Sequence, residues 1–176
     1  MTLLIGSLQL GFLYSIMVLG IYISFRILNI PDLTTEGSFT FGLAASSILT
    51  AAGHPLLGLV GALIAGALAG SVTGFLQTKP DIHPVLAGIL TMSGLYSINL
   101  FVMGGASNVT LLNNDTVFTL FLKVFPFMSK DAVKLFVAIA AVVIVTVLLT
   151  VFFKTSLGLS IRATGDNADM VRASSI

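Results

Sequence analysis

The chain has 176 residues, a formal net charge of +1 and no cysteine. Hydrophobic residues make up 56% of it and charged residues 9%, and its mean hydropathy is +1.08. A soluble domain carries about 25% charged residues, so this composition excludes a water-soluble globular protein. The charge balance argues against a nucleic-acid partner, and the lack of cysteine excludes disulfides and thiolate metal sites. We therefore expect an integral membrane protein.

Long apolar segments predict an all-α, polytopic transmembrane helix bundle. A transmembrane helix needs about 20 mostly apolar residues. No Lys or Arg precedes Arg26, so the first apolar segment is expected to stay as a span and not to be cleaved as a signal peptide. Residues 37–78 carry no charge but are too long for one span, and Gly53-His54-Pro55 divides them at a turn. The five predicted spans are residues 3–25, 37–52, 55–77, 84–103 and 132–153.

Residues between the last two spans predict an external helix at the membrane interface. Phe118, Phe121 and Phe125 recur at helical spacing, and Lys123 and Pro126 argue against a sixth span. The orientation follows from the distribution of basic residues, with the N-terminus outside and the C-terminus in the cytoplasm. This orientation places five basic residues inside and three outside: Arg26, Lys79, Lys154, Arg162 and Arg172 against Lys123, Lys130 and Lys134.

Asp32 and Glu36 are the only carboxylates before Asp81. At membrane depth they would be functional, because charge inside a membrane is costly. Alternatively, Asp32, Thr34 or Thr35 caps the next helix and Glu36 lies in its first turn, near the positive end of the helix dipole. The residues alone leave both interpretations open.

The third span carries small residues at steps of four. Such a stripe lets another helix approach closely, either inside the bundle or at a subunit interface. The stripe consists of Gly58, Ala62, Gly66, Gly70 and Gly74.

The sequence has no features of an enzyme. It lacks a P-loop, a nucleophile elbow and any metal-ligand spacing. His54 and His83 each precede a proline at a helix boundary and are expected to be solvated or capping groups. We predict no catalytic residue, no metal site and no cofactor bound by this chain.

The polar segment that follows the last span, residues 154–176, cannot lie in hydrocarbon and is expected to be a soluble surface. Its Gly165-Asp166-Asn167 run predicts a turn, in which Asp166 or Asn167 caps a short helix ending at Ala173. A solvated connector is the simpler interpretation. The order of residues, however, resembles the cytoplasmic loop of bacterial ABC-importer permeases, nearest the branched-chain amino acid and ribose permease group. The resemblance lies in Gly158-Leu159-Ser160-Ile161-Arg162-Ala163-Thr164-Gly165-Asp166-Asn167, then Met170 and Arg172-Ala173.

A second motif, Ile30-Pro31-Asp32-Leu33-Thr34-Thr35-Glu36-Gly37-Ser38-Phe39, also resembles this family. It departs from the sugar-permease pattern and resembles a branch associated with amino acid uptake, including aromatic amino acids. The resemblance covers nearly the whole chain. It also implies that the chain is the N-terminal part of a permease, whose further spans would follow this loop.

The resemblance implies a permease of the bacterial inner membrane that works by alternating access. Its partners would be a separate ATP-binding subunit carrying ATP and magnesium, an extracytoplasmic solute-binding protein and a second permease copy. Residues 158–173 would form the coupling helix that contacts the ATPase. Implied coupling residues are Gly158, Arg162, Ala163, Gly165, Asp166, Asn167, Met170 and Arg172, and candidates for the permeation path are Asp32, Thr34, Thr35 and Glu36.

Two other functions remain open on the residues. One is an ion-coupled transporter or channel that uses Asp32 and Glu36 as its ion site. The other is a structural membrane protein whose polar end is only solvated.

Overall fold

The structure is a computed structural model that describes residues 2–79, 82–106, 108–111, 114–124, 127 and 129–173. Within these residues all regular structure is helical, which confirms the predicted all-α class. A π-helical segment, Ile23–Ile27, continues the first helix. The α-helices are α1 (Thr2–Tyr22), α2 (Thr34–Ala51), α3 (Pro55–Thr78), α4 (Pro84–Val102), α5 (Val117–Val124), α6 (Lys130–Phe152), α7 (Ser156–Asp166) and α8 (Ala168–Ala173).

Four helices in the described part of the chain are long and apolar enough to cross a membrane. They are Leu3–Ile27, which joins α1 to the π-helical segment, and α3, α4 and α6. The predicted span at residues 37–52 corresponds to α2, which has 18 residues but is not among these four. Length and composition therefore support four of the five predicted spans.

Polar side chains move two helix starts away from the predicted positions. Helix α2 begins at Thr34 and not at residue 37, and the Asp32 carboxylate accepts a hydrogen bond from the Thr34 N–H at 2.8 Å in an Asx turn just before the Leu33 N-cap. Helix α6 begins at Lys130 and not at residue 132, because the Ser129 hydroxyl accepts from the Ala132 N–H at 3.4 Å. The pattern of apolar residues cannot locate such helix starts, because the residues that set them are polar.

The chain forms two compact units, the first made of Met1–Pro31 and Ser129–Ile176 and the second of Asp32–Met128. In the first unit α1 packs along α6. The Gln9 side-chain amide donates to the Asp131 carbonyl at 2.8 Å, and the Asn29 side chain, beyond the other end of α1, reaches Gly165 in α7. Gln9, near the beginning of α1, thus lies beside the beginning of α6. Asn29, just after α1, lies beside α7, the helix that follows the end of α6. Helices α1 and α6 therefore run parallel.

In the second unit α2 packs between α3 and α4. A Cβ placed at Gly42 would lie 3.3 Å from the Ala62 carbonyl oxygen, and one at Gly58 would lie 2.8 Å from the Thr50 hydroxyl, so α2 and α3 are antiparallel. Gly88 lies against Leu33, whereas Gly37 lies against Met92 and Leu95, so α2 and α4 are parallel. The three helices are therefore side by side along the length of α2.

Helix α5 lies where the interfacial helix was predicted and contains Phe118 and Phe121, whereas Phe125 and Pro126 fall outside the described residues. Its start is fixed by a reciprocal capping box. The Thr116 hydroxyl accepts from the Thr119 N–H at 3.3 Å, and the Thr119 hydroxyl accepts from the Thr116 N–H at 2.7 Å. That α5 lies at the membrane surface stays a prediction.

Candidate functional site

Helix α7 begins directly after α6, and Gly158 makes the turn between them possible. A Cβ at Gly158 would overlap the Phe152 carbonyl and the Phe153 backbone, so only glycine fits there. The Thr155 hydroxyl caps the new helix by accepting from the Gly158 N–H at 3.3 Å. The polar segment therefore leaves the last span as an ordered helix and not as a loose connector.

The predicted Gly165-Asp166-Asn167 turn is shorter than the sequence indicated. Gly165 and Asp166 still belong to α7, and only Asn167 separates α7 from α8. The Asn167 side chain accepts from the Met170 N–H at 3.0 Å, which confirms the predicted cap of the second short helix. Residues 174–176 of the predicted coupling segment lie outside the described residues.

The far end of α7 is held against the end of the first helix. A Cβ at Gly165 would overlap the Ile27 carbonyl oxygen and come within 3.1 Å of the Leu28 Cα, so the two backbones touch. Beside this contact, the Asn29 side-chain amide donates to the Gly165 carbonyl at 2.9 Å. We call this contact of Ile27, Leu28 and Asn29 with Gly165 the α7 clamp.

The segment that carries the clamp has an unusual backbone. Its π-helical turn ends with a Leu28 N–H bond to the Ile23 carbonyl at 3.0 Å. Asn29 then adopts a left-handed conformation with φ of 54°, which ends the helix. Buried Ser24 closes the loop, because its hydroxyl donates to the Ile30 carbonyl and its own carbonyl accepts from the Ile30 N–H, both at 3.1 Å.

The other side of α7, together with α8, is open. Arg162 is exposed, with its guanidinium carbon 5.4 Å from the centre of the buried Phe153 ring, which is a cation–π contact within the chain. Large apolar side chains are exposed beside it, and Leu157 and Met170 are each 69% exposed. Two of the implied coupling residues, Gly158 and Gly165, lie against the backbone of other residues of the chain. The other six are exposed: Arg162, Ala163, Asp166, Asn167, Met170 and Arg172.

The implied permeation residues lie at the start of α2, in the second unit. The Asp32 carboxylate accepts hydrogen bonds from the N–H and the hydroxyl of Thr34, and Thr34 is only 1% exposed. Glu36 is exposed in the first turn of α2. Asp32 therefore forms a local turn just before α2, whereas Leu33 holds the N-cap position without a side-chain hydrogen bond, and no described contact joins the Asp32 and Glu36 carboxylates. A role of these residues in the permeation path stays a prediction.

Only part of the small-residue stripe packs inside the second unit. Gly58 and Ala62 lie against α2, whereas a Cβ at Gly66, Gly70 or Gly74 would meet nothing within 4 Å. An α-helix turns by about 100° per residue, so residues four apart lie about 40° apart around the helix axis. The stripe therefore turns away from α2 along α3. Packing by its last three members stays a prediction.

Sequence reasoning missed two polar side chains. Asn29 could have been found as a helix end, because asparagine is favoured in left-handed caps, but nothing local points to its contact with Gly165. Asn99 in α4 is 7% exposed, and its side-chain oxygen has no hydrogen-bond partner among the described residues. The described residues also contain no cluster of three or more metal-binding side chains.

The all-helical fold, the apolar spans and the ordered polar helices after the last span define a multi-pass membrane protein of the permease class. The chain belongs to the family described as "Branched-chain amino acid transport system / permease component", which it matches over residues 3–176. This confirms the family resemblance.

Two curated relatives are similar over 97% of the chain. One is the tyrosine transport system permease protein of Clostridioides difficile (strain R20291), with 36% identity over 54% of that protein. The other is an uncharacterized protein of Rickettsia prowazekii (strain Madrid E), with 33% identity over 58% of it. The chain thus spans a little over half the length of each. No solved structure matches it significantly.

Proposed function

We propose that the chain forms the membrane-embedded permease of an ATP-driven amino acid importer and that α7 and α8 bind a separate ATPase. The observation that carries the proposal is the tail surface, by which we mean the exposed side chains of Leu157, Leu159, Arg162 and Met170 on α7 and α8. Methionine and arginine are enriched in protein interfaces relative to the rest of the surface. A merely solvated end would need neither the Thr155 and Asn167 caps nor the α7 clamp.

The proposed topology has five spans, with the N-terminus outside and the C-terminus in the cytoplasm. Parallel α1 and α6 support it, because an odd number of crossings must separate two spans that run in the same direction. Three crossings by α2, α3 and α4 meet this condition, whereas α3 and α4 alone do not. The packing of α2 along both neighbours supports its role as a span despite its lower hydropathy. In this topology α5 lies outside, at the membrane interface.

The proposed partners follow from the family. They are an ATPase subunit that binds ATP and magnesium, an extracytoplasmic solute-binding protein and a second copy of the permease. We propose no cofactor on this chain itself. Gly66, Gly70 and Gly74 offer an open face for close helix packing by the second copy.

The proposed solute is an amino acid. The motif at residues 30–39 resembles the amino acid branch of the family, and one relative is a tyrosine transport system permease protein. Uptake of labelled tyrosine, leucine and ribose by proteoliposomes containing the assembled transporter separates the amino acid from the sugar alternative. We expect tyrosine or leucine uptake, and selective uptake of ribose would contradict the substrate assignment.

An ion-coupled transporter is the competing function, and the structure gives it little support. The Asp32 carboxylate accepts hydrogen bonds from Thr34 and Glu36 is exposed, and no described contact joins these two proposed ion ligands. The deciding experiment compares uptake with and without ATP at a constant ion gradient. ATP-driven import predicts that uptake stops without ATP. Uptake that continues with the gradient alone would establish the ion-coupled alternative.

A further inference from the structure

We propose that Asn29 is a positioning residue that transmits movement of α7 to the first membrane helix. This inference rests on the proposed function, because it concerns what happens after the ATPase binds. It adds a specific mechanical connection, the α7 clamp, between the tail surface and the π-helical end of α1. Nothing in the family comparison assigns a role to Asn29.

The clamp joins backbone to backbone, which makes it stiff. Gly165 approaches the Ile27 carbonyl so closely that no side chain fits between them. The Asn29 amide adds a hydrogen bond of 2.9 Å to the Gly165 carbonyl. Side-chain contacts can adjust by changing rotamers, whereas backbone contacts move only when their helices move. A displacement of α7 would therefore be passed to residues 27–29.

The receiving segment is built to change shape locally. A π-helical turn has one more residue per hydrogen-bonded ring than an α-helix, and such turns are frequent at functional sites. The Ile23–Ile27 turn lies between the straight part of α1 and the clamp. Ser24 holds the loop after this turn by two hydrogen bonds with the Ile30 backbone, one to its carbonyl and one from its N–H. A displacement of α7 would therefore change the backbone conformation of residues 23–27, which would tilt the end of α1 or convert its π-helical turn to α-helix.

The surfaces for binding and for transmission are separate. The side chains of the tail surface are exposed, whereas Gly165 lies against Ile27. A change at Asn29 should therefore leave ATPase binding intact but reduce the transport that ATP hydrolysis drives. This separation distinguishes a positioning residue from one that only builds the docking surface.

The test uses Asn29→Asp in the permease assembled with its ATPase and binding protein. Aspartate has nearly the same shape and tolerates the left-handed conformation, but its carboxylate cannot donate to the Gly165 carbonyl. Asn29→Gly keeps the backbone conformation and also removes the donor. Asn108→Asp is the matched control, because Asn108 is exposed in a loop of the second unit.

Three readouts are compared in these variants. Amide exchange in α7 should rise about fivefold in Asn29→Asp and Asn29→Gly, as expected for the loss of one hydrogen bond, and not in Asn108→Asp. ATPase capture should equal that of the natural chain. The number of solutes transported per ATP hydrolysed should fall about tenfold in both Asn29 variants and stay unchanged in the control.

Each contrary result has a distinct meaning. An unchanged transport ratio in Asn29→Asp, despite faster exchange in α7, would overturn the transmission role. Reduced ATPase capture would also overturn it, because Asn29 would then only shape the docking surface. If the natural chain captures no ATPase at all, the proposed function itself fails, whatever the exchange data show.

Discussion

The Gln9 side-chain amide donates a hydrogen bond of 2.8 Å to the Asp131 carbonyl, and this bond sets the beginning of α1 beside the beginning of α6. The two helices then continue in the same direction toward the α7 clamp. Because parallel spans must be separated by an odd number of crossings, the parallel course of α1 and α6 is the strongest argument that α2 crosses the membrane. The composition of α2 alone does not require a span.

Labelling of single cysteines tests this topology, since the natural chain has none. We expect a membrane-impermeant thiol reagent added outside to label His54→Cys and Ser129→Cys but not Arg26→Cys or Lys154→Cys. If α2 does not cross the membrane, His54 lies on the same side as Arg26, opposite to this expectation. Labelling of His54→Cys from the side that reaches Arg26→Cys would contradict the five-span topology.

Helix packing between α2 and α3 gives a stability prediction. Gly58→Ala would put a Cβ 2.8 Å from the Thr50 hydroxyl and 3.0 Å from the Ser46 carbonyl oxygen, and such overpacking costs about 1–3 kcal/mol. Gly70→Ala is the matched control, because its Cβ meets nothing within 4 Å and removal of a helical glycine is worth up to about 1 kcal/mol. Thermal unfolding in detergent should show a lower midpoint for Gly58→Ala only. Equal midpoints would refute this packing.

Much of this architecture could be predicted from the sequence, because apolar length and proline positions are local signals. Pro55 and Pro84 begin α3 and α4, as their missing N–H groups dictate. The family resemblance was also carried by contiguous residues. What the sequence did not reveal depends on contacts between distant residues, such as the 136 positions that separate Asn29 from Gly165. The stripe of small residues illustrates the same limit, since spacing alone cannot tell which of its glycines have a neighbour.

The loop before α5 gives a prediction about pH. Lys123 donates a hydrogen bond of 2.6 Å to Asp115, and this bond, together with the charge of Lys123, lowers the pKa of the Asp115 carboxyl below its ordinary value of 3.8. A lowered pKa in the folded state means that the pair stabilises the protein above pH 3.8 and loses that effect as the pH falls through the folded pKa.

An NMR titration of the Asp115 carboxyl carbon measures this shift. Lys123→Met should return the pKa toward 3.8, and Lys130→Met should leave it low. Because the pair is exposed, added salt should reduce the shift. A natural chain whose Asp115 pKa is already at 3.8 would refute the ion pair.

The short helix α8 depends on its cap. Asn167→Ala should weaken it by about 1 kcal/mol, because the Met170 N–H loses its acceptor, whereas Asn167→Asp should preserve it. Amide exchange of residues 170–173 measures the difference. Equal protection in Asn167→Ala and the natural chain would show that the cap is dispensable.

The central claim is that the tail surface binds an ATPase, and Arg162 offers the most direct measurement. Arg162 is exposed on α7, with its guanidinium 5.4 Å from the centre of the Phe153 ring, and arginine is enriched among interface residues whose loss costs about 2 kcal/mol or more. We predict that the purified permease captures its ATPase and that Arg162→Glu weakens capture about tenfold, while Lys130→Glu at the start of α6 has no effect. Capture that is equal for all three proteins, or absent for the natural chain, would contradict the account.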